Sequence, residues 1–316
     1  MSTPLLVTGL PRSGTSWTGK MLEAGGDIVY VNEPMNPRRP PGRSPGVLNA
    51  RVTHRFHYVD PTDDARFERA FRDTLRLRYR PLAELGAVRR PYDVGRMMKY
   101  CTSFTIGRVR GRSALLDDPY ALMSAQWLAE KLAVKAVVLV RDPVALLGSW
   151  RKLGWRIDLS DLLGQPALVR DHLGQHVELL ERAQRSGSWT QQMCGLWCVA
   201  HDLVDEFRKQ TPRIVAWRYE DLASHPSEQF SQLYEWFGLE FTGRARQRIE
   251  QATSSDHGEQ AGFSWSFRGG ASRTAFQPMD SRRAVAAQQH RLDADEIRTV
   301  RSLTGEMLAR FPRVTE

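Results

Sequence analysis

A glycine-rich loop near the start of the chain constrains the fold more than any other feature. Residues 9–17 read Gly-Leu-Pro-Arg-Ser-Gly-Thr-Ser-Trp, after an apolar run over 5–7 and before a predicted helix from 15. Strand, loop and helix in this order direct backbone N–H groups and a helix N-terminus at one point, an arrangement that binds anions. The loop therefore predicts an α/β fold that binds a phosphate group or a similar anion.

The loop has the glycine spacing of the nucleoside-triphosphate P-loop but lacks the lysine of that motif. Gly9 and Gly14 are spaced as in Gly-x-x-x-x-Gly-Lys-Ser/Thr. Thr15 and Ser16 occupy the last two positions, and the cation, Arg12, lies inside the loop instead. Because the P-loop lysine contacts the β- and γ-phosphates, its absence predicts a nucleotide without a γ-phosphate.

Composition and charge limit the class of protein further. The 316 residues are 41 % hydrophobic, which supports a packed core, and no apolar run reaches the ~18–20 residues that span a bilayer. The net charge of +9 fits an anionic ligand, while no block of about five or six basic residues marks a nucleic-acid tail. Three cysteines give no disulfide framework. Since the N-terminus has no basic n-region or apolar h-region, we expect a cytoplasmic protein.

Predicted strands alternate with predicted helices along the chain. The strands are expected over 4–8, 27–31, near 97–101, 135–140 and 213–219. The helices are expected over 15–25, 63–80, 118–133, from 143, and over 166–186, 188–210, 226–237 and 293–310. We find no internal repeat or linker, so we expect one domain over 1–316. Its sheet is expected to be mainly parallel and flanked by helices, with ligands at the carboxyl ends of the strands.

Three segments together resemble the sulfotransferases that use 3′-phosphoadenosine 5′-phosphosulfate (PAPS) as donor. The loop resembles their 5′-phosphosulfate loop, residues 137–150 resemble their 3′-phosphate segment, and residues 217–222 read Trp-Arg-Tyr-Glu-Asp-Leu, a signature frequent in the family. The resemblance covers 4–35 and 115–240. It implies the P-loop-NTPase-like sulfotransferase fold, as in bacterial members of the family.

The resemblance implies two anion sites for the donor. The loop would hold the 5′-phosphosulfate through Pro11, Arg12, Ser13, Gly14, Thr15 and Ser16. Arg141 and Ser149 would hold the 3′-phosphate, for which the fork-shaped guanidinium is well suited. Trp17 corresponds to an aromatic that stacks on adenine, and Tyr219 is expected to contact the donor. The product would be 3′-phosphoadenosine 5′-phosphate (PAP), and the family uses no metal.

Two side chains are needed for the chemistry itself. Sulfuryl transfer requires a cation at the leaving phosphate oxygen, and Arg12 has the position of that cation in the family. Arginine does not donate a proton at neutral pH, so Arg12 would act through its charge alone.

A base for the acceptor hydroxyl is the second requirement. Glu33, in Asn-Glu-Pro directly after the second predicted strand, matches the glutamate that some members of the family use. The other interpretation of Glu33 is a loop carboxylate paired with Arg38 or Arg39. His54 and His57 are the alternative bases.

The acceptor is not identified by any motif. Loops over 34–60 and 154–166 are expected to form its pocket, with Phe56, Tyr58, Trp155 and Arg156 as lining residues. A small molecule such as a bacterial secondary metabolite, a lipid or a glycan is favoured over a protein tyrosine, because no secretory signal is present. The region 253–290 is expected to close over the nucleotide, through either 268–273 or 281–283.

Two other functions stay open. One is a P-loop kinase or NTPase with Asp142 as a magnesium ligand, and the other is a non-catalytic anion-binding protein on the same fold. No His-x-x-x-His, Cys-x-x-Cys or aspartate cluster has metal-ligand spacing. Asp117-Asp118-Pro119 stands where relatives often have Lys-Asp-Pro, so no donor contact is assigned there. The oligomeric state is not predicted.

Overall fold

A computed structural model of the protein describes residues 3–38, 45–60, 62–253 and 291–314. Both loops that were candidates for closing over the nucleotide, 268–273 and 281–283, lie outside the described residues. So does Arg39, one of the two predicted ion-pair partners of Glu33.

Five parallel strands form a sheet at the centre of the described chain. They are β1 (Leu5–Gly9), β2 (Ile28–Asn32), β3 (Ser113–Asp117), β4 (Lys135–Val140) and β5 (Ile214–Arg218). Their order across the sheet is β2-β3-β1-β4-β5, and β1 pairs with both β3 and β4. The predicted α/β class and parallel sheet are confirmed. Because all five strands run the same way, their carboxyl ends meet at one edge, which we call the carboxyl edge.

Helices connect and cover the strands. In chain order they are α1 (Thr15–Glu23), α2 (Asp64–Leu75), α3 (Pro81–Leu85), α4 (Pro91–Val109), α5 (Ala125–Leu132), α6 (Pro143–Lys152), α7 (Ser160–Leu163), α8 (Pro166–Leu168), α9 (Val177–Arg185), α10 (Trp189–Gln210), α11 (Tyr219–Ser224), α12 (Pro226–Phe237), α13 (Gly243–Thr253) and α14 (Ala294–Ala309). Within the described ranges, no helix combines the length and the apolar composition needed to cross a bilayer.

The two faces of the sheet carry separate apolar cores. Leu5 and Val7 of β1 pack in the core that includes side chains of α1, α12 and α13. Leu6, between them, packs in the larger core with α2, α5, α6 and α10. Successive side chains of a strand point to opposite faces, so this division follows directly from the apolar run at 5–7.

The predicted strand near 97–101 is wrong, because these residues lie inside α4. Pro91 begins this helix, and the Asp93 carboxylate accepts hydrogen bonds from the N–H groups of Arg89 and Arg90 at 3.0 Å. The third strand of the chain is instead β3, just before the predicted helix start at Asp118.

Two predicted helices are interrupted. The segment expected over 118–133 begins as a 3₁₀ helix over Pro119–Ser124 and becomes α-helical only in α5. The segment expected over 166–186 divides into α8, a π-helical turn over Val169–Leu173, a 3₁₀ turn over Gly174–His176, and α9. The predictions over 135–140 and 226–237 coincide with β4 and α12.

The packing of α4 on the sheet leads to a prediction about two glycines of this helix. A Cβ on Gly107 would lie 2.2 Å from Cγ2 of Val29, whereas a Cβ on Gly95 would meet nothing within 4 Å. Gly107→Ala should therefore destabilise the protein by about 1–3 kcal/mol through overpacking. Gly95→Ala should be neutral or stabilise it by up to about 1 kcal/mol through helix propensity. Urea denaturation of both variants checks this, and equal effects would contradict the described packing of α4.

Candidate functional site

The loop between β1 and α1 bends through three residues with positive φ angles. These are Gly9 at 144°, Arg12 at 76° and Gly14 at 100°. Gly14 is the N-cap residue of α1, and no side-chain cap hydrogen bond is present at the helix start among the described residues. A Cβ on Gly14 would lie 2.4 Å from the ring of Tyr219, so a larger residue would not fit. The loop thus leaves the N–H groups at the start of α1 available to an anion.

Two side chains of the segment after β4 hold this loop in place. Arg141, directly after β4, donates a hydrogen bond from Nη1 to the carbonyl oxygen of Arg12. The indole N–H of Trp150 donates to the carbonyl oxygen of Pro11 at 2.8 Å. Trp150 was not predicted as a site residue, although it directly follows Ser149. Its role is to fix the backbone of the loop.

The predicted donor residues of three strand ends come together at the carboxyl edge. The guanidinium carbon of Arg141 lies 4.5 Å from the centre of the Tyr219 ring, and Nε of Arg12 lies 3.5 Å from Oγ of Ser149. The loop residue and the 3′-phosphate segment are therefore in direct contact. The two predicted anion sites therefore adjoin each other at the carboxyl edge.

Like charges meet at this surface. Burial lowers the pKa of Arg12, and the nearby charge of Arg141 lowers it further. Burial also lowers the pKa of Arg141, whose side chain is only 5 % exposed. Arg291, which no sequence motif identified, adds a smaller effect of the same sign on both. A bound anion would offset the cost of holding these cations close together and away from water.

Two further loop side chains differ in their surroundings. Ser13 is fully buried, and among the described residues no hydrogen-bond partner contacts its Oγ. A buried hydroxyl without a partner inside a candidate anion-binding loop is suited to an oxygen of a ligand. Trp17 packs edge-on against Tyr219 and Phe230, with ring centres 5.9 and 5.2 Å apart, and remains partly exposed.

A buried carboxyl group lies behind the loop and was missed by the sequence interpretation. Asp117, at the end of β3, is fully buried and accepts a hydrogen bond from the hydroxyl of Tyr30, while no partner among the described residues contacts its Oδ1. Burial raises the pKa of Asp117 to about 6, and the nearby charge of Glu33 adds to this. Asp117 stands where relatives often have the lysine of Lys-Asp-Pro. Because an acidic side chain is not expected to contact an anion, there was no reason from the sequence to place Asp117 near the loop.

Glu33 lies where β2 and β3 end. It has a positive φ of 48°, and its N–H donates to the carbonyl oxygen of Asp117 at 2.8 Å. Nδ2 of Asn36 donates to Oε2 of Glu33 at 2.8 Å. The N–H of Met35 donates to Oδ2 of the buried Asp118 at 2.6 Å. These contacts position a half-buried carboxylate at the carboxyl edge, as the sequence predicted.

The alternative base His57 has the surroundings of a structural histidine. Its side chain is 6 % exposed, and its ring lies 4.9 Å from that of Phe67. Burial lowers the pKa of His57 to about 4, which makes it a weak base at neutral pH. Nδ1 of both His57 and His54 lies near the hydroxyl of Thr53, at 3.2 and 2.9 Å.

The two predicted acceptor segments contact each other. The amide of Gln165 donates to the carbonyl oxygen of Phe56 at 3.2 Å and accepts from the N–H of Tyr58 at 2.8 Å. Arg55 forms an ion pair with Asp161 at 4.0 Å. Phe56 itself is fully buried in the core and is not a surface residue of a pocket. Its backbone, rather than its ring, connects the two segments.

The third family-like segment anchors the chain around Tyr219. The Glu220 carboxylate accepts from the N–H of Asp142 at 2.8 Å and pairs with Arg218 at 3.0 Å. Asp142 itself caps α6 by accepting from the N–H of Ala145 at 3.1 Å. In the described ranges, no group of three or more His, Cys, Asp or Glu side chains could hold a metal ion.

Comparisons with known proteins agree with this arrangement. A model of the sulfotransferase family matches residues 4–243. Among solved structures, the chain is similar to the sulfotransferase domain from the curacin biosynthetic pathway, at 14 % identity and a TM-score of 0.50, over 96 % of this chain and 98 % of that one. It is also similar to the sulfotransferase STF9 from Mycobacterium avium, at 14 % identity and a TM-score of 0.44, over 99 % of this chain and 77 % of that one. No curated protein matches the chain.

The buried carboxyl group behind the loop leads to a pH prediction. The pKa of Asp117 is raised from its ordinary value of 3.8 to about 6 in the folded chain. Between these two pH values the unfolded chain has lost the proton of Asp117, whereas the folded chain still holds it. The free energy of unfolding of the wild-type protein should fall by up to about 3 kcal/mol as the pH rises through this window, at about 1.4 kcal/mol per pKa unit. Asp117→Asn has no titrating group at this position, so its free energy of unfolding should not show this fall. Urea denaturation at pH 4 and pH 8 measures the difference. The same stability gap between variant and wild type at both pH values would contradict the prediction.

Proposed function

The chain belongs to the sulfotransferase family, and from this premise we propose that it transfers the sulfuryl group of PAPS to a hydroxyl group. The acceptor is a small molecule, a lipid or a glycan. The observation that carries the proposal is the contact between two candidate anion sites: the loop before α1, with Arg12, and the Arg141–Ser149 segment after β4. PAPS carries its negative charges at two ends of an adenosine, so it needs two such sites.

The residues present fit this donor. The N–H groups at the start of α1 and the unpartnered hydroxyl of Ser13 suit the 5′-phosphosulfate. Arg141 and Ser149 suit the 3′-phosphate, and Trp17 is the candidate for contact with adenine. PAPS supplies the activated sulfuryl group and leaves as PAP. We take 1–316 as one sulfotransferase domain around this donor site.

Arg12 stabilises the leaving group in the proposed reaction. As the sulfur–oxygen bond to the phosphate breaks, negative charge develops on the bridging oxygen. The backbone of Arg12 is held by Arg141, and its guanidinium contacts Ser149. A guanidinium fixed in this way stabilises the developing charge without having to move. Arginine remains charged at neutral pH, so the phosphate leaves as an anion.

Glu33 is the proposed base. Its carboxylate takes the proton of the acceptor hydroxyl while the acceptor oxygen forms the new bond to sulfur. The hydrogen bond from Asn36 and the backbone bond to β3 hold it at the edge where the loop lies. The acceptor hydroxyl becomes more acidic as its oxygen forms the bond to sulfur. A carboxylate is therefore a strong enough base to take the proton in that step.

The kinase alternative has less support. Its proposed magnesium ligand, Asp142, uses its carboxylate to cap α6, and the lysine of the P-loop is replaced by Thr15. The non-catalytic alternative is distinguished by the Glu33 experiment below.

Binding of PAP tests the donor site. By titration calorimetry we expect PAP to bind without magnesium, and ATP with magnesium to bind weakly. Arg141→Ala should weaken PAP binding by about 10- to 150-fold, since a charged hydrogen bond is worth about 1.5–3 kcal/mol. Arg213→Ala, which removes an exposed arginine at the opposite edge of the sheet, serves as the matched control. Magnesium-dependent ATP binding without PAP binding would instead support the kinase.

Substitution of Glu33 tests the chemistry. A screen of labelled PAPS against hydroxyl compounds first provides an acceptor. With that acceptor, Glu33→Gln should lower kcat by about 10²–10⁴-fold, the range for loss of a general base. Glutamine keeps an oxygen that can accept from Asn36, so PAP affinity should not change. His57→Gln is the matched test of the alternative base. An unchanged rate in Glu33→Gln would remove Glu33 from the mechanism.

A further inference from the structure

Helices α3 and α4 expose large apolar side chains. Leu82 in α3 is 82 % exposed, and Met98 and Val109 in α4 are 62 % and 79 % exposed. Val94 and Ile106 of α4 are exposed as well. We call Val94, Met98, Ile106 and Val109 the apolar stripe. Exposed aliphatic side chains in one region mark a surface that contacts another molecule or a membrane.

The apolar stripe lies on the side of α4 that faces away from the sheet. At 100° per residue, Val94, Met98 and Val109 fall within about 60° of one another around the helix axis, and Ile106 lies about 60° beyond Val109, so the stripe covers about 120°. Phe104 and Gly107, which are buried, lie on the opposite side, and Gly107 contacts Val29 of β2. The stripe is therefore a regular outer face of a helix whose inner face is already packed.

Basic side chains surround the apolar stripe. Residues 86–112 contain seven arginines or lysines and one acidic residue, Asp93, which is buried at the start of α4. Arg108 and Lys99 fall on either side of the stripe around the helix. The seven basic residues are Arg89, Arg90, Arg96, Lys99, Arg108, Arg110 and Arg112. The surface thus combines an apolar centre with a positively charged border.

This combination selects among possible partners. A second copy of the chain would bring the same positive border against itself, which is unfavourable. An aliphatic stripe on a convex helix, bordered by long basic side chains, is the arrangement by which amphipathic helices bind anionic membranes. We propose that α3 and α4 dock on an anionic lipid surface, with the stripe among the headgroups and the basic side chains on the lipid phosphates.

The direction of α4 relates this surface to the candidate site. Since α4 ends at Val109 and β3 begins at Ser113, the amino end of α4 lies toward the carboxyl edge of the sheet. Docking through Val94 and Met98, in the amino-terminal half of α4, therefore brings that edge near the lipid surface. The inference does not rest on the proposed reaction, because docking is measured without turnover.

Vesicle binding tests the inference with the full chain. In co-sedimentation we expect binding to vesicles containing phosphatidylglycerol and little binding to pure phosphatidylcholine. Binding should weaken as salt rises, because screening shortens the range of the charge attraction. Lys99→Gln with Arg108→Gln should weaken it by roughly 10- to 30-fold, since each basic residue near an anionic surface contributes about fivefold. Met98→Asp with Val109→Asp should reduce it at least as much.

A matched control uses α14, which exposes Leu303 and, two residues before it, Arg301. Leu303→Asp with Arg301→Gln should leave vesicle binding unchanged, and circular dichroism should show that all variants are folded. Failure of the wild type to bind anionic vesicles, or equal losses in the α4 and α14 variants, would overturn the proposal. A concentration-dependent dimer abolished by Met98→Asp would assign the stripe to a second copy. Binding of polyglutamate that is insensitive to Met98→Asp would assign the surface to an acidic protein.

Discussion

The hydrogen bond from Arg141 to the carbonyl oxygen of Arg12 connects the features on which the candidate site depends. It joins the loop after β1 to the end of β4, and these two strands are neighbours in the sheet. Trp150 makes a second connection to the same loop through the carbonyl oxygen of Pro11. The sheet order therefore positions the site, because the neighbouring parallel strands β1 and β4 end side by side and bring these two segments within side-chain reach.

The same bond shows how the three family-like segments, which are distant in sequence, act together in the folded chain. Arg141 uses one nitrogen on the loop backbone and lies over the ring of Tyr219, while Glu220 holds the N–H of Asp142. Each of the three family-like segments thus contributes to the position of the others. Loss of any one would shift the two candidate anion sites relative to each other, and a ligand with two fixed charged ends is sensitive to such a shift.

The strands and the donor residues were predictable where a local pattern determines them. β4 coincides with its prediction because a central strand of a parallel sheet is buried on both faces, and a short continuous run of apolar residues is typical of such a strand. β3 was missed because only Ala114, Leu115 and Leu116 are apolar, although Gly111, with a φ of 65°, marks the turn just before it. The mixed segment 97–101 was assigned to a strand because the start of α4 at Pro91 and its buried residues Phe104 and Gly107 lie outside that window. Both errors came from short windows that excluded the signals on either side of them.

Asp117 could not have been predicted, and it changes the interpretation of the loop. A buried carboxyl group behind a candidate anion-binding loop is unexpected from charge alone, and its hydrogen-bond partner, Tyr30 of β2, is far away in sequence. The hydrogen bond from Tyr30 occupies one carboxyl oxygen of Asp117, and the other has no partner among the described residues. Burial without full hydrogen bonding disfavours the charged form, which is why the pKa of Asp117 is raised to about 6. A negative charge bound at the loop would raise the pKa of Asp117 further, because it disfavours a second negative charge close by. Occupation of the loop and protonation of Asp117 are therefore coupled.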